Sequence, residues 1–293
     1  MGQTFKIGVD GGGTKTELVL VDETGAVVDQ RLVPGCNPNV VGVDQARHVL
    51  TDALGQLHRP GITHTRLYMA GTPQFWRDFA RDLTGFGTVS AHDDSLPVLE
   101  LATAGQPGLV LHGGTGSFVA ARSPDDTIHY AGGLGWRFGD PGSGYDLGRR
   151  AIAQALLELQ GWTAPTRFGP LVRGQAADTS ADAATLTRHF YHHAEPNREI
   201  AALAPGVLHL ASEGDAAAIK LVRESAEPLL QLAVQVATKL FPATPLDEIP
   251  AGLSGPILTH PAVRELLVPR SPLPLTPLTD PPIVGVRRLL ART

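Results

Sequence analysis

Two short apolar runs near the start of the chain flank a turn that is rich in glycine. The runs are residues 6–9 and 18–21, and the sequence DGGGTKT occupies residues 10–16 between them. Apolar runs of this length bounded by glycine are typical of strands, so the pattern predicts a β-hairpin. Small residues at its tip let backbone N–H groups converge, which favours an anion-binding turn. The alternative is a glycine-rich turn that binds nothing.

The same pattern returns about a hundred residues later. Residues 108–121, GLVLHGGTGSFVAA, again read as an apolar run, a turn of small residues and an apolar run. Repetition of one unit predicts two halves of related architecture, each with one phosphate-facing hairpin. A nucleotide would then bind in the cleft between the halves. Chance recurrence of a glycine turn is the alternative.

Apolar spacing elsewhere in the chain predicts further strands and helices. The interval 249–256 reads as a loop, and 269–282 as an extended segment rich in proline. Further strands are predicted over 25–33 and 67–71, and residues 89–95 read as the end of a strand that runs into a helix. Helices are predicted over 44–57, 74–83, 145–160, 215–240 and 283–291.

Two familiar glycine motifs do not fit residues 10–16. A dinucleotide-binding loop is followed by a helix, whereas the residues after these glycines alternate as a strand. A P-loop places Gly directly before Lys, whereas Thr14 separates Gly13 from Lys15. The predicted phosphate loop is therefore a hairpin tip.

Composition narrows the range of partners and compartments. The 293 residues carry a net charge of −5 and contain no block of Lys or Arg, which argues against nucleic acid or an anionic membrane as a partner. Cys36 is the one cysteine, so an intramolecular disulfide is excluded and a reducing compartment, the cytoplasm, is expected.

Residues 89–95 read as the end of a strand that runs into a helix beginning near Ser95, and Asp93 and Asp94 lie at that junction. The C-terminal ends of strands are where an open α/β sheet presents chemistry, and adjacent side chains point in different directions. At most one of these carboxylates is therefore expected to face a ligand. The alternative is that both cap the helix that follows.

Several motifs together resemble a known family. DGGGTKT at 10–16, GGTGS at 113–117 and GGLGWRFGDPGSGYDLGRRA at 132–151 are similar to the sugar-kinase/Hsp70/actin fold. They most resemble the N-acetylglucosamine and glucosamine kinase branch of the BadF/BadG/BcrA/BcrD ATPase family. Residues 214–215 and 251–254 also fall where that family has motifs.

The resemblance implies an α/β, two-domain, actin-like ATPase fold related to ribonuclease H. Each domain would contain a mixed sheet flanked by helices, with the nucleotide in the cleft between the domains. The expected domains are 1–103, which would bind sugar and phosphate, and 104–293, which would bind nucleotide. The helix over 283–291 is expected to pack back on the first domain.

The resemblance also implies ATP as cofactor, with Mg²⁺ held near Asp10, largely through water. Gly252 would lie beside the adenosine, where glycine permits a close backbone approach. The residues expected to bind the nucleotide are Asp10, Gly11, Gly12, Gly13, Thr14, Lys15, Thr16, Gly114, Thr115, Gly116 and Gly252.

By the same resemblance, Asp94 matches the catalytic aspartate that accepts the proton of the sugar hydroxyl, with Asp93 as the fallback. Residues expected to bind the sugar are Asn37, Asp94, Gly133, Leu134, Gly135 and Asp140. Asn37 and Asp140 have a simpler alternative role, which is to cap a turn or helix. Leu134 replaces a frequent Trp and Pro141 an acidic residue, so the identity of the sugar is left open.

The leading hypothesis is an ATP-dependent kinase acting on the 6-hydroxyl of N-acetylglucosamine, glucosamine or a related hexose. Its partner would be a small sugar, and the oligomeric state, for which a homodimer is one candidate, is left open. One alternative is an ATP-driven activator of a benzoyl-CoA reductase or 2-hydroxyacyl-CoA dehydratase, but such activators hold an iron–sulfur cluster through cysteines. Another is a non-catalytic sugar or nucleotide sensor on the same fold.

Overall fold

The computed structural model describes residues 3–292, and the chain divides into two compact units. The first unit comprises Met1–Gly105 and Thr279–Thr293, and the second comprises Gln106–Leu278. The last segment of the chain is thus part of the first unit.

The first unit is built on a mixed sheet of five strands in the order β3-β2-β1-β4-β5. Neighbouring strands among β1, β2 and β3 are antiparallel, whereas β4 is parallel to β1 and β5 to β4. The strands are β1 (Phe5–Gly11), β2 (Lys15–Asp22), β3 (Val27–Pro34), β4 (Ile62–Met69) and β5 (Thr88–Asp93).

Helices cover both faces of this sheet because the side chains of β1 alternate between two apolar cores. Ile7 and Val9 belong to the core shared with α2 and α3. On the other face, a Cβ on Gly8 would lie 2.3 Å from Cγ1 of Val286, so glycine lets the last helix pack against the strand. The helices are α1 (Pro38–Val41), α2 (Val43–Leu57), α3 (Pro73–Asp82), α4 (Ser95–Thr103) and α13 (Pro282–Leu290).

The second unit has a mixed sheet of the same size, with the order β10-β9-β6-β7-β8. β6, β7 and β8 are antiparallel neighbours, whereas β9 is parallel to β6 and β10 to β9. The strands are β6 (Gly108–Gly113), β7 (Ser117–Arg122), β8 (Ile128–Gly132), β9 (Ala251–Ser254) and β10 (Leu275–Pro277).

The core of the second unit lies between one face of its sheet and a layer of helices. Leu109, Leu111 and Val119 of the sheet pack with Leu229 and Ala233 of the longest helix. The helices are α5 (Gly144–Leu159), α6 (Phe168–Gln175), α7 (Ala183–His192), α8 (Pro196–Ala201), α9 (Ala204–Ser212), α10 (Ala216–Leu240), α11 (Gly255–Leu258) and α12 (Pro261–Leu267), with 3₁₀ turns at Leu246–Glu248 and Val268–Arg270.

Two mixed sheets flanked by helices confirm the predicted fold class. Two local predictions were wrong. The interval 249–256 contains β9, and 269–282 contains β10, where a loop and an extended segment were expected. Both strands are short and poor in β-branched residues, so their pairing depends on the neighbouring strand more than on local propensity. No helix between residues 3 and 292 has the length and apolar character needed to cross a membrane.

Candidate functional site

The tip of the first hairpin presents two adjacent backbone N–H groups. β1 and β2 pair as far as Gly11 and Thr16, and within the turn Gly12 N donates to Lys15 O at 3.0 Å. No group among residues 3–292 accepts a hydrogen bond from the N–H of Gly13 or Thr14. Adjacent N–H groups of this kind form a concavity that suits an anion.

The loop after β3 holds this tip in place through two backbone hydrogen bonds. Gly35 N donates to Thr14 O at 3.2 Å, and Cys36 N donates to Gly12 O at 3.2 Å. A Cβ on Gly35 would lie 2.2 Å from Gly13 O, so no larger residue fits there without moving the hairpin. Gly35 is therefore a supporting residue that the sequence motif did not include.

Thr16 supports the tip from the interior. Its side chain is fully buried, and its hydroxyl donates to Cys36 Sγ at 3.0 Å. The hydroxyl of Thr16 is thus committed inside the unit, whereas Thr14 and Lys15 are exposed at the turn. Thr16 was assigned to this nucleotide-binding loop, but its side chain does not reach the surface of the loop.

Asp10 lies at the end of β1, one residue before the last pair of the hairpin. Burial raises the pKa of its carboxyl to about 6, opposed by Lys15 and reinforced by Glu17. Lys15 Nζ is 3.4 Å from Glu17 Oε2, so its charge is shared between two carboxylates. Asp10 is therefore a half-buried carboxylate whose negative charge is only partly balanced by Lys15. A bound cation would stabilise its ionised form.

Asp93 and Asp94 have different roles at the end of β5. Ser95 N donates to Asp93 Oδ1 at 2.9 Å, so Asp93 caps the start of α4. Asp94 makes no capping hydrogen bond with its side chain. Burial, followed by the charges of Asp93 and Asp10, raises the pKa of Asp94 to about 7. The capping alternative thus holds for Asp93 and fails for Asp94.

Asp94 and Asp10 belong to the same edge of the first sheet. β1, β4 and β5 are parallel neighbours, and Asp10 and Asp93 each pair with the C-terminal end of β4, at Tyr68 and Met69. Asp94 follows Asp93 directly. The carboxylate with the highest pKa in this group is therefore positioned at the edge where strands of an α/β sheet present their chemistry.

Asn37 combines a structural role with a free donor group. Its Oδ1 accepts a hydrogen bond from Asn39 N at 2.9 Å and caps α1, as the simpler alternative proposed. Its amide NH₂ makes no hydrogen bond to the described residues. Gly71, with φ of +102°, passes so close that a Cβ there would lie 2.4 Å from Asn37 Oδ1. Asn37 is therefore held firmly while its donor group stays available.

The second hairpin repeats the arrangement of the first. β6 and β7 pair as far as Gly113 and Ser117, and Gly114 N donates to Gly116 O at 2.9 Å. The N–H groups of Thr115 and Gly116 have no acceptor among residues 3–292. Both glycine turns therefore end in two adjacent, unpaired N–H groups.

Neighbouring glycines and the start of α5 hold this second tip. Gly144 N donates to Gly114 O at 2.8 Å, and Tyr145 N donates to Thr115 O at 3.2 Å. On the other side, a Cβ on Gly255 would lie 2.4 Å from Gly113 O. Gly255 follows β9 and was absent from the predicted set, whereas the predicted Gly252 is buried within that strand and pairs with β6.

Asp140 is the most deeply buried carboxylate of the predicted site. It is 5% exposed, and its Oδ1 has no hydrogen-bond partner among the described residues. Its Oδ2 lies 2.9 Å from the position that a Cβ on Gly116 would take, so the carboxylate is beside the second hairpin tip. Burial raises the pKa of Asp140 to about 6. Ser143, and not Asp140, caps α5, so the capping alternative is wrong for Asp140.

The loop before Asp140 depends on glycine for its path. Gly133 and Gly135 have φ of +62° and +87°, and Phe138 N donates to Gly135 O at 3.0 Å to close a turn. Leu134 in this loop is 70% exposed.

Comparison with known proteins fits this geometry. A model of one protein family matches residues 7–246, a range that contains both hairpin tips and every carboxylate described above. The chain belongs to the BadF/BadG/BcrA/BcrD ATPase family. The resemblance in the hairpin and loop motifs is thereby confirmed.

Several proteins to which this chain is similar are named as sugar kinases. The chain is 26% identical over 242 residues to the N-acetylmuramic acid/N-acetylglucosamine kinase of Clostridium acetobutylicum, which covers 77% of this chain and 76% of that protein. It is 27% identical over 167 residues to glucosamine kinase GspK of Vibrio cholerae, covering 54% and 56%. A crystal structure of a candidate N-acetylglucosamine kinase from Chromobacterium violaceum superposes with a TM-score of 0.80 at 28% identity, covering 98% of this chain and 99% of that one.

Proposed function

We propose that this protein is an ATP-dependent kinase that transfers the γ-phosphate to the 6-hydroxyl of N-acetylglucosamine, glucosamine or a related hexose. The observation that carries the proposal is Asp94, a carboxyl with a pKa of about 7 at the edge of the sheet whose first hairpin presents free N–H groups. A general base works best when its pKa is close to the working pH. The kinase names of the relatives support the same reaction class.

In this proposal, the free N–H groups of each hairpin tip are phosphate-binding groups. Phosphoryl transfer needs little covalent chemistry from the protein beyond alignment and charge stabilisation. Asp94 accepts the proton of the attacking hydroxyl, which makes that oxygen a better nucleophile. A substrate hydroxyl would also supply the hydrogen bond that the buried Oδ1 of Asp140 lacks. Asn37 would donate through its free NH₂ group.

Mg²⁺ fits the surroundings of Asp10. Nucleotide-bound Mg²⁺ uses one or two carboxylates, phosphate oxygens and several waters. Among residues 3–292 no cluster of three or more His, Cys, Asp or Glu residues could hold a metal by itself, which agrees with a single carboxylate acting with the nucleotide. When bound, the ion would neutralise charge on the phosphates. Asp10 would orient it through water.

The activator alternative is poorly supported by the chain. An iron–sulfur cluster is held by accessible thiolates, whereas Cys36 is fully buried, accepts a hydrogen bond from Thr16 and has a pKa raised by burial to about 11. The relatives named above are kinases. A free thiol also suits the reducing cytoplasm, the expected location. A homodimer remains a prediction, which light scattering can test.

A coupled ADP-release screen tests the proposed reaction. Wild-type protein with ATP and Mg²⁺ is offered glucosamine, N-acetylglucosamine, N-acetylmuramic acid and glucose, with a blank that lacks sugar. We expect ADP release that depends on at least one of these sugars and a much lower rate in the blank. ATP binding without release of ADP on any sugar would favour the non-catalytic sensor instead.

A further inference from the structure

The two hairpins can be aligned residue by residue through their pairing. β1 ends at Gly11, opposite Thr16, and β6 ends at Gly113, opposite Ser117. The residue before the last pair is Asp10 in the first hairpin and His112 in the second. His112 therefore occupies the position in its hairpin that Asp10 occupies in the first.

The two residues also correspond in the face of the sheet that they use. In β6, Leu109 and Leu111 point into the core of the second unit, so His112 belongs to the opposite face. In β1, Val9 points into a core, so Asp10 likewise belongs to the face away from it. His112 and Asp10 therefore correspond both in their position along the strand and in the face of the sheet to which their side chains belong.

Two contacts fix the imidazole of His112. Its Nδ1 lies 3.2 Å from Ser254 Oγ at the end of β9. The ring stacks on Phe118 with a centroid distance of 4.8 Å and an interplanar angle of 14°, and Phe118 stacks in turn on Tyr130 at 5.0 Å. Because both the ring plane and Nδ1 are fixed, the direction of Nε2 is fixed as well.

Nε2 points to the phosphate-binding turn and has no protein partner. It lies 3.2 Å from the position that a Cβ on Gly114 would take, while Cε1 lies 3.0 Å from the corresponding position on Gly255. The residues that the structure describes give His112 a hydrogen bond at Nδ1 and none at Nε2. Burial lowers the pKa of His112 to about 4, so the ring is neutral at pH 7. If Ser254 donates to Nδ1, the remaining proton is on Nε2.

We propose that His112 is a nucleotide-binding residue whose Nε2–H donates a hydrogen bond to a phosphate oxygen held by the second hairpin. It would add a side-chain donor to the N–H groups of Thr115 and Gly116. The inference rests on the proposed nucleotide binding and is independent of whether any sugar is phosphorylated. The simpler possibility is that His112 only packs between Phe118 and Ser254.

Binding of adenosine, AMP and ADP to the protein without sugar separates these two roles. His112→Phe keeps the stacking on Phe118 but removes the donor, and His112→Gln restores a side-chain N–H. The matched control is His129→Phe, because His129 on β8 of the same sheet also contacts a serine, with Nε2 3.1 Å from Ser123 Oγ. Isothermal titration gives each affinity, and thermal unfolding checks that each variant is folded.

We expect the affinity of His112→Phe for ADP to fall about tenfold, which is about 1.4 kcal/mol, while its affinity for adenosine stays within about twofold. His112→Gln should recover part of the loss, and His129→Phe should match the wild type. Unchanged ADP affinity in His112→Phe would overturn the proposal. So would an equal loss for adenosine and ADP, which indicates a packing role. If no sugar is phosphorylated in the ADP-release screen, the affinities expected here for ADP and adenosine stay the same, because they depend only on nucleotide binding.

A measurement on the wild type remains available if His112→Phe does not fold. In protein labelled with ¹⁵N-histidine, a phosphate that accepts from Nε2 favours the charged ring, so ADP should raise the pKa of His112. The resonance can be assigned by its disappearance in His112→Gln. A pKa of His112 that is the same with ADP and with adenosine would contradict the proposal.

Discussion

Asp94→Asn should stabilise the protein against unfolding at pH 8, although it removes the proposed catalytic base. In the folded protein, burial and the neighbouring Asp93 and Asp10 raise the pKa of Asp94 from 3.8 to about 7. The folded state therefore disfavours the ionised form. The protonated carboxyl of Asp94 contributes stability to the folded state. This contribution is fully present below about pH 4, falls as the pH rises, and is lost above about pH 7. Asparagine cannot ionise, so the Asp94→Asn variant does not lose this stability as the pH rises.

The size of the effect follows from the displacement of the pKa. A change from 3.8 to about 7 corresponds to about 4 kcal/mol of differential stability when ionisation is complete. The charge of Asp10 contributes part of this shift and Asp10 titrates in the same pH range, so the net difference is smaller than the full shift. We therefore expect Asp94→Asn to be more stable than the wild type by about 2–4 kcal/mol at pH 8 and by less than about 1 kcal/mol at pH 4.

Guanidinium unfolding of both proteins at several pH values from 4 to 8 measures this difference. Asp82→Asn is the matched control, because Asp82 ends α3 in the same unit with a side chain that is 56% exposed. Its stability should follow the wild type at every pH. A gap that does not widen between pH 4 and pH 7, or an Asp94→Asn variant less stable than the wild type at pH 8, would refute the argument.

Three further predictions follow from single contacts. Gly35→Ala should weaken ATP binding at least tenfold by titration, because its Cβ would lie 2.2 Å from Gly13 O and displace the hairpin; unchanged affinity would show that the tip tolerates movement. Arg292→Gln should lower the free energy of unfolding by about 1–3 kcal/mol, since Glu100, which is 2% exposed, loses its ion-pair partner; equal stability would show that this ion pair adds nothing to the stability of the fold. Cys36 should react with iodoacetamide at least a hundredfold more slowly in native than in unfolded protein, because burial raises its pKa to about 11; fast native labelling would contradict that burial.

The elements that the sequence predicted well are those with a strong local signal. Gly-rich turns between apolar runs specify both hairpins, and α10 has apolar spacing over 25 residues. β9 and β10 were missed because four and three residues carry no usable periodicity. Their strand conformation comes from pairing with β6 and with each other, which is tertiary information.

The candidate site shows the same division between local and tertiary information. Asp94 and Asp140 follow from motifs, but the raised pKa of each depends on burial that no motif encodes. Gly35 and Gly255 each lie in glycine-containing loops in the sequence, yet their importance comes from backbone atoms distant in the chain. Their only local signal is a glycine beside a proline, which marks a turn and says nothing of what the turn touches.

The most direct test of the proposed kinase compares wild type and Asp94→Asn with ATP, Mg²⁺ and N-acetylglucosamine or whichever sugar the screen selects. Phosphorus NMR follows the sugar phosphate, and titration measures ATP affinity. We predict equal amounts of ADP and sugar 6-phosphate from the wild type, none from Asp94→Asn, and ATP affinities within about threefold of each other. Sugar phosphate formed at the same rate by both proteins would contradict the account.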